Sequence, residues 1–443
     1  VPFDEEAGPQ LLERVLGRDT AGAEAALRAP APPDFARPED GLTSLLGAAT
    51  EGLLHLVRLL CEAAADLDKP AQFGVTPIYS AARCGHEEVV RFLTEFGADK
   101  DRPEVNGTTP LMIAASAGQL PVVRALCEAG AETNTQLANG VSSLYLTAHL
   151  GHAEVVEELC RARAETDART HNGATPLYVA AQQGHGEVVQ RLCNAGADRD
   201  MPEVHGATPL LVAAHQGHST AALALCNARA DVHRPRCDGA APLWVAAKEG
   251  HQSVVRLLTS ARADANVTCE GKASPLWVAA KAGHVEVVEL LCDAGANKDW
   301  QAEGGATPLY AAAARGHAQV VGLLCSLGAS TEDRLQDELG ATALYIAAQN
   351  SFSEVVRLLC EAGADKDVAL RDGSTALAIA AHLGDLETVH CLCSAGADWN
   401  KPCPDGATPL CLAAAGGFLE VVRCLCGAGA DGDRPRHDGA TPL

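Results

Sequence analysis

The chain has few aromatics (4%), more acidic than basic residues (57 Asp+Glu against 34 Lys+Arg) and no long apolar run. With so few aromatics there is little to line a large aromatic pocket. The 47% hydrophobic content and 42 glycines suit close-packed short helices instead. A formal net charge of −23 opposes a broad surface for nucleic-acid phosphates, which needs a basic face. No stretch approaches the ~18–20 apolar residues that span a bilayer, so no membrane insertion is expected in this segment. No secretory signal stands at its start. The phosphate-loop G-K-[ST], the G-x-S-x-G elbow and the H-E-x-x-H pair are all missing. One G-x-G-x-x-G string, Gly427 to Gly432, follows a helical pattern rather than a strand and reads as a turn. No catalytic residue, cofactor or metal is expected.

What the chain does have is one unit, repeated. In GATPLYVAAQQGHGEVVQRLCNAGADRD, from Gly173 to Asp200, Thr175 suits a helix N-cap and Pro176 the first helical position. Leu177, Val179, Ala180 and Ala181 predict a short apolar helix, which Gly184-His185 breaks. Val188, Val189, Leu192 and Cys193 recur at helical spacing in a second helix that ends at Asn194-Ala195-Gly196. Two such helices cannot bury their apolar faces on each other alone. From Thr43 the cap position recurs every 33 residues through Thr76, Thr109, Ser142, Thr175, Thr208, Ala241, Ser274 and Thr307. After one interval of 35 it continues through Thr342, Thr375, Thr408 and Thr441. A period of this length signals a stacked solenoid. Such a stack escapes the ~250–300-residue limit on a single core.

The columns T-P-L, A-A, G-H, L-L-C and G-A-D resemble the ankyrin repeat over roughly Gly41 to Leu443. The resemblance implies an all-α solenoid of stacked helix-turn-helix repeats with projecting β-hairpin fingers between them. Residues 1–40 read as a degenerate capping repeat with a Pro-rich connection, Pro30 to Pro38. Residues 41–440 read as twelve repeats, with a two-residue finger insertion near 331–339, and 441–443 as the start of a thirteenth. The chain opens on Val1 and stops just inside a new unit, so it is expected to be a fragment of a longer protein.

Several columns invite a chemical reading that their spacing argues against. Ten of the seventeen cysteines stand eighteen residues after the cap, from Cys61 to Cys426. Neighbouring helices pack ~8–10 Å apart, too far for a disulfide ladder, so the column is expected at helix contacts. Cys391/Cys393 and Cys424/Cys426 lie two apart on a helix and point to nearly opposite sides, which is wrong for zinc. So many free thiols favour a reducing compartment, cytosol or nucleus. His86, His152, His185, His218, His251, His284 and His317 stand at the break, where a turn-stabilising hydrogen bond is expected. Tyr79, Tyr145, Tyr178, Trp244, Trp277, Tyr310 and Tyr345 follow T-P-L, where packing between units is expected. Ala64, Arg163, Arg229 and Arg262 replace the glycine that ends the second helix, and those units should be locally weaker or place an Arg outward for a contact.

The two residues before each break vary while the columns around them do not, as a customised surface on a common framework would. The resemblance implies a concave groove there. Its candidate partner-binding residues are Arg83, His149, Gln182, Gln183, His215, Gln216, Lys248, Glu249, Lys281, Arg315, Gln349 and Asn350. Their charge leans positive between Arg83 and Arg315, so an acidic or polar segment of another protein is the expected ligand, docking near His215 to Arg315. The function expected is a non-catalytic protein–protein scaffold or adaptor. The alternatives are the substrate-recognition arm of a larger kinase or ubiquitin ligase, or a membrane or cytoskeletal anchor, with the other domains outside this segment.

Overall fold

The computed structural model describes residues 6–29 and 31–442. Val1, Pro30 at the head of the Pro-rich connection, and Leu443 in the last T-P-L lie outside the described residues. Among those described there are 26 α-helices and no sheet. They form two compact units, Val1–Asp231 and Val232–Leu443. The first runs from the pair Ala7–Leu16 and Thr20–Arg28 to the pair Pro209–Gln216 and Ser219–Asn227. The second runs from Pro242–Glu249 and Gln252–Ser260 to Pro409–Ala415 and Leu419–Ala428. Within each unit, first helices pack on the first helices of the neighbouring hairpins and second helices on second. The opening pair packs on Ser44–Thr50 and Leu54–Glu62 in the same way.

The local chemistry follows the repeated letters. Thr175 Oγ1 accepts from the Tyr178 N–H at 3.1 Å, leaving one fewer orphan donor in the first turn. Thr, or Ser at 142 and 274, makes the same bond at every other cap position from Thr43 to Thr408, while Ala241 has no side chain to offer. Ala180 and Ala181 are fully buried where first helices meet, and Val188, Val189 and Leu192 fill the space between layers. Small residues there let helices approach closely enough to exclude water.

Between hairpins the fingers are narrow turns with little regular strand; the described residues include only two isolated bridges, Ala36↔Thr43 and Gln136↔Ser142. Thr170 N donates to Ala174 O, and Glu203 N to Ala207 O, each closing a turn across four residues. At the insertion the matching bond runs from Leu335 N to Ala341 O, across six. The two extra residues therefore lie inside that turn. Adjacent fingers are tied by single backbone bonds, such as Val105 N to Phe73 O at 2.8 Å and Arg371 N to Leu339 O at 3.0 Å.

A second tie is a ladder of Asp and Asn side chains just past G-A-D. Asp200 Oδ1 accepts from the Asp231 N–H at 2.8 Å, and Asp198 Oδ1 accepts from the Asp200 N–H at 3.0 Å. The same reach of 31 residues recurs at Asp101 to Glu132, Asn266 to Asn297, Asp367 to Asp398 and Asn400 to Asp431. Much of the acidic charge thus serves backbone N–H groups that would otherwise have no partner.

The third tie is the histidine column. In six of its rings the imidazole Nε2 reaches back 36 residues to a carbonyl at the end of the preceding first helix. His185 bonds His149 O (3.0 Å), His218 bonds Gln182 O (3.0 Å), His284 bonds Lys248 O (3.1 Å) and His317 bonds Lys281 O (3.1 Å). His86 and His152 do the same with Thr50 O and Ser116 O. The turn-stabilising bond expected of these histidines is, in these six, a bond that joins two hairpins.

This ring requires a glycine beneath it. Gly184 is left-handed (φ +79°), and a Cβ there would lie 2.7 Å from Nδ1 of His218. Gly196, which ends the second helix at φ +93°, has open space where a Cβ would stand. The replacements in this chain follow the same division. Ala64, Arg163, Arg229 and Arg262 adopt φ of 60–63° at the open position. At the position that ends the first helix the non-glycines are Arg18 (φ 57°), in the opening pair, and Ser351 (φ 59°). The residue at the ring position of the next hairpin is Asp385, whose carboxylate turns back to cap Thr388 N at 3.2 Å. Gly196→Ala should therefore cost about 1 kcal/mol, from backbone strain alone. Gly184→Ala should cost about 2–4 kcal/mol, because it also displaces His218. Urea unfolding of the two variants checks this; equal losses would contradict it.

Candidate functional site

The variable residues stand at the C-terminal ends of the first helices, and the histidine column holds their backbone. The carbonyls of His149, Gln182, Lys248 and Lys281 accept the ring bonds while their side chains point outward. Arg83, His149, Gln183, His215 and Gln216 are exposed in the first unit, and Gln182 is half-buried. Lys248, Glu249, Lys281, Arg315, Gln349 and Asn350 are exposed in the second. The twelve candidates are thus divided between two units. Asn350 has a partner of its own: where Phe352 has replaced the histidine, Asn350 Nδ2 donates to Ala314 O at 3.1 Å. That is the carbonyl a histidine would have reached.

In the second unit these helix ends and the fingers enclose a groove of about 730 Å3, lined by Trp244, Lys248, Trp277, Lys281, Glu303 and Arg315 among others. The Lys281 ammonium lies 4.8 Å from the centre of the Trp277 ring, and Lys248 lies 5.8 Å from that of Trp244. Both are within cation–π range. Lys248 is also 3.6 Å from Glu249. Lys281 and Arg315 form no ion pair with any described residue. Asp238, at the same groove, is held by Arg236, whose guanidinium keeps that carboxyl below the usual carboxylate range. The groove therefore offers two cations with no carboxylate partner.

The aromatic column proves to have two uses. Tyr79 and Tyr345 are buried, and Tyr345 packs with Ala341 and Leu370 against Tyr310, Leu335 and Ile379. Burial pushes the Tyr310 phenol up to about 12. Trp244 and Trp277 are half-buried and show a face to the groove. Trp244 Nε1 donates to Ala273 O at 3.0 Å, whereas the buried Nε1 of Trp277 has no hydrogen-bond partner.

The cysteines are free thiols, and the ten of the repeated column stand on the second helices. Burial pushes Cys127, Cys160, Cys193, Cys226 and Cys292 up to about 11. A thiol held protonated is a poor nucleophile and a poor metal ligand. Among the described residues, no three His, Cys, Asp or Glu side chains converge as a metal site.

Helical hairpins repeating at 33 residues and tied to their neighbours by side-chain-to-backbone bonds define a tandem-repeat binding framework. The family model described as ankyrin repeats (3 copies) matches residues 45–137, 144–236, 196–269, 226–302, 243–334, 277–370, 330–403 and 377–443. The chain belongs to the ankyrin repeat family. Among solved structures it is similar to the human ASB11 ankyrin repeat domain, at 31% identity. That match covers 50% of this chain and 98% of the other, with a TM-score of 0.45. The comparison with curated proteins gave no match. Ankyrin repeats are protein–protein interaction modules and are typically non-catalytic.

The contrast among thiols is measurable. Alkylation of the native chain should modify the exposed Cys84, Cys237 and Cys426 first. The thiols raised to about 11 should react about 100-fold more slowly than an ordinary thiol. Mass spectrometry of timed samples reads the order; uniform rates would refute it.

Proposed function

We propose that this chain is a non-catalytic adaptor that docks an acidic or polar segment of another protein along the second unit's groove, between Trp244 and Arg315. The supporting observation is the pair of cations, Lys281 and Arg315, exposed at the groove without a carboxylate partner. An acidic ligand supplies the missing charge, and the indoles provide apolar contact beside it. His215 and Gln216, in the other unit, are left out of this docking site, as is Asn350, whose amide is committed to Ala314 O. The chain works in a reducing compartment, cytosol or nucleus, a placement that rests on its seventeen free cysteines.

The test is a labelled peptide of alternating Glu and Gly titrated into the chain by fluorescence anisotropy. Lys248→Glu with Lys281→Glu should weaken binding by about tenfold or more and leave the unfolding midpoint in place, since both ammoniums are exposed. Unchanged affinity in the double variant would refute the placement.

A further inference from the structure

The two hairpins that hold the groove are near-copies in sequence. Pro242 to Lys248 reads PLWVAAK, and so does Pro275 to Lys281, 33 residues later. No other two first helices of the chain share all seven residues. Each copy sets a lysine over the tryptophan four residues before it, and in each the lysine carbonyl is pinned by a histidine of the next hairpin. The two first helices, Pro242–Glu249 and Pro275–Ala282, pack side by side. The groove therefore holds two like half-sites in tandem, displaced by one repeat.

Packed helices stand about 8–10 Å apart, and that displacement selects among ligand conformations. In an extended strand, residues on one face recur every second position, about 6.6 Å apart, and a four-residue step overshoots at about 13 Å. A polyproline II segment has three residues per turn and rises about 3.1 Å per residue. Its one edge therefore presents every third side chain about 9.3 Å apart, which matches the repeat. This conformation has no internal hydrogen bonds, and proline pre-orders it, so little entropy is lost on docking. An α-helix would need acids seven positions apart and would set a cylinder about 10–12 Å wide against the same two lysines.

Resting on the docking site proposed above, we infer that the tandem Trp–Lys half-sites read an acidic polyproline II segment with carboxylates three positions apart. One carboxylate meets Lys248 and the next meets Lys281. Arg315, one hairpin further on, receives the charge that follows.

Three labelled peptides of equal length and equal Glu content test the spacing, each titrated into the chain. One has Glu every third position among prolines, one has Glu every second position, and one has Glu every seventh position on an Ala-rich helical host. The expected result is that the period-three peptide binds at least about fivefold tighter than the other two. Lys248→Gln, which leaves one half-site, should shrink that preference below about twofold while binding persists. If all three bind equally and the double charge reversal abolishes them, the groove reading stands and the spacing inference is overturned. A preference for period two or seven overturns it as well. If none binds, both fail. A period-three preference that survives Lys248→Gln also overturns the tandem reading.

Discussion

Beyond the apolar packing of helix on helix, one recurring side-chain bond joins successive hairpins of this chain at six junctions. It runs from a histidine ring to the carbonyl at the end of the preceding first helix. A helix of eight residues leaves its last carbonyls without intrahelical partners, and a short isolated helix is marginal in water. The ring satisfies one such carbonyl and couples one hairpin to the next. It does so at the backbone of the residue whose side chain faces outward, as at Lys248 and Lys281. Framework and surface therefore meet in one residue: its backbone is fixed, and its side chain is unconstrained by the stack. That separation lets His149, Gln182 and Lys248 differ while the fold stays the same.

Departures from the repeat show one junction where this bond is replaced and others where it is lost. Where Phe352 stands in place of histidine, Asn350 supplies the donor to Ala314 O, and the phenyl ring still covers Gly316, as Phe418 covers Gly384. Where the covering residue is Asp385, the glycine beneath is relaxed to Ser351. The Asp and Asn ladder and the finger bonds add further ties at the other edge of each hairpin. Each tie is modest, on the order of 1 kcal/mol, but each recurs along the stack, so stability accumulates through nearest neighbours.

The hairpins were legible in the sequence because each structural requirement recurs in a column. Thr175, Pro176 and Gly184 announce a capped helix and its end, and twelve copies make the period plain. The left-handed Arg163, Arg229 and Arg262 were legible for the same reason, since glycine occupies that column elsewhere. What connects one copy to another was harder to read. Nothing in the spacing of His185 tells that its partner is the carbonyl of His149 rather than an atom of its own turn. Asp198 and Asp200 look like ordinary turn residues until the next hairpin is in place. Asn350 read as a contact residue because it sits in a variable column; the missing histidine at 352 was the signal that it had taken over a structural bond. The Trp–Lys stacks were on the page as W-V-A-A-K, with Trp and Lys four apart on one helix face. That pairing shows only when the aromatic column and the variable column are taken together, because each column alone has its own structural reason.

The most direct measurement is nitrogen-15 NMR of the imidazole rings in the 45.8 kDa chain at mildly alkaline pH. A carbonyl only accepts, so His86, His152, His185, His218, His284 and His317 must each carry a proton on Nε2. The expected result is six rings fixed in the Nε2–H tautomer, with ring protons slow to exchange with water. Rings found as Nδ1–H, or exchanging as freely as those of a solvated histidine, would contradict the bond that joins the hairpins at these six junctions.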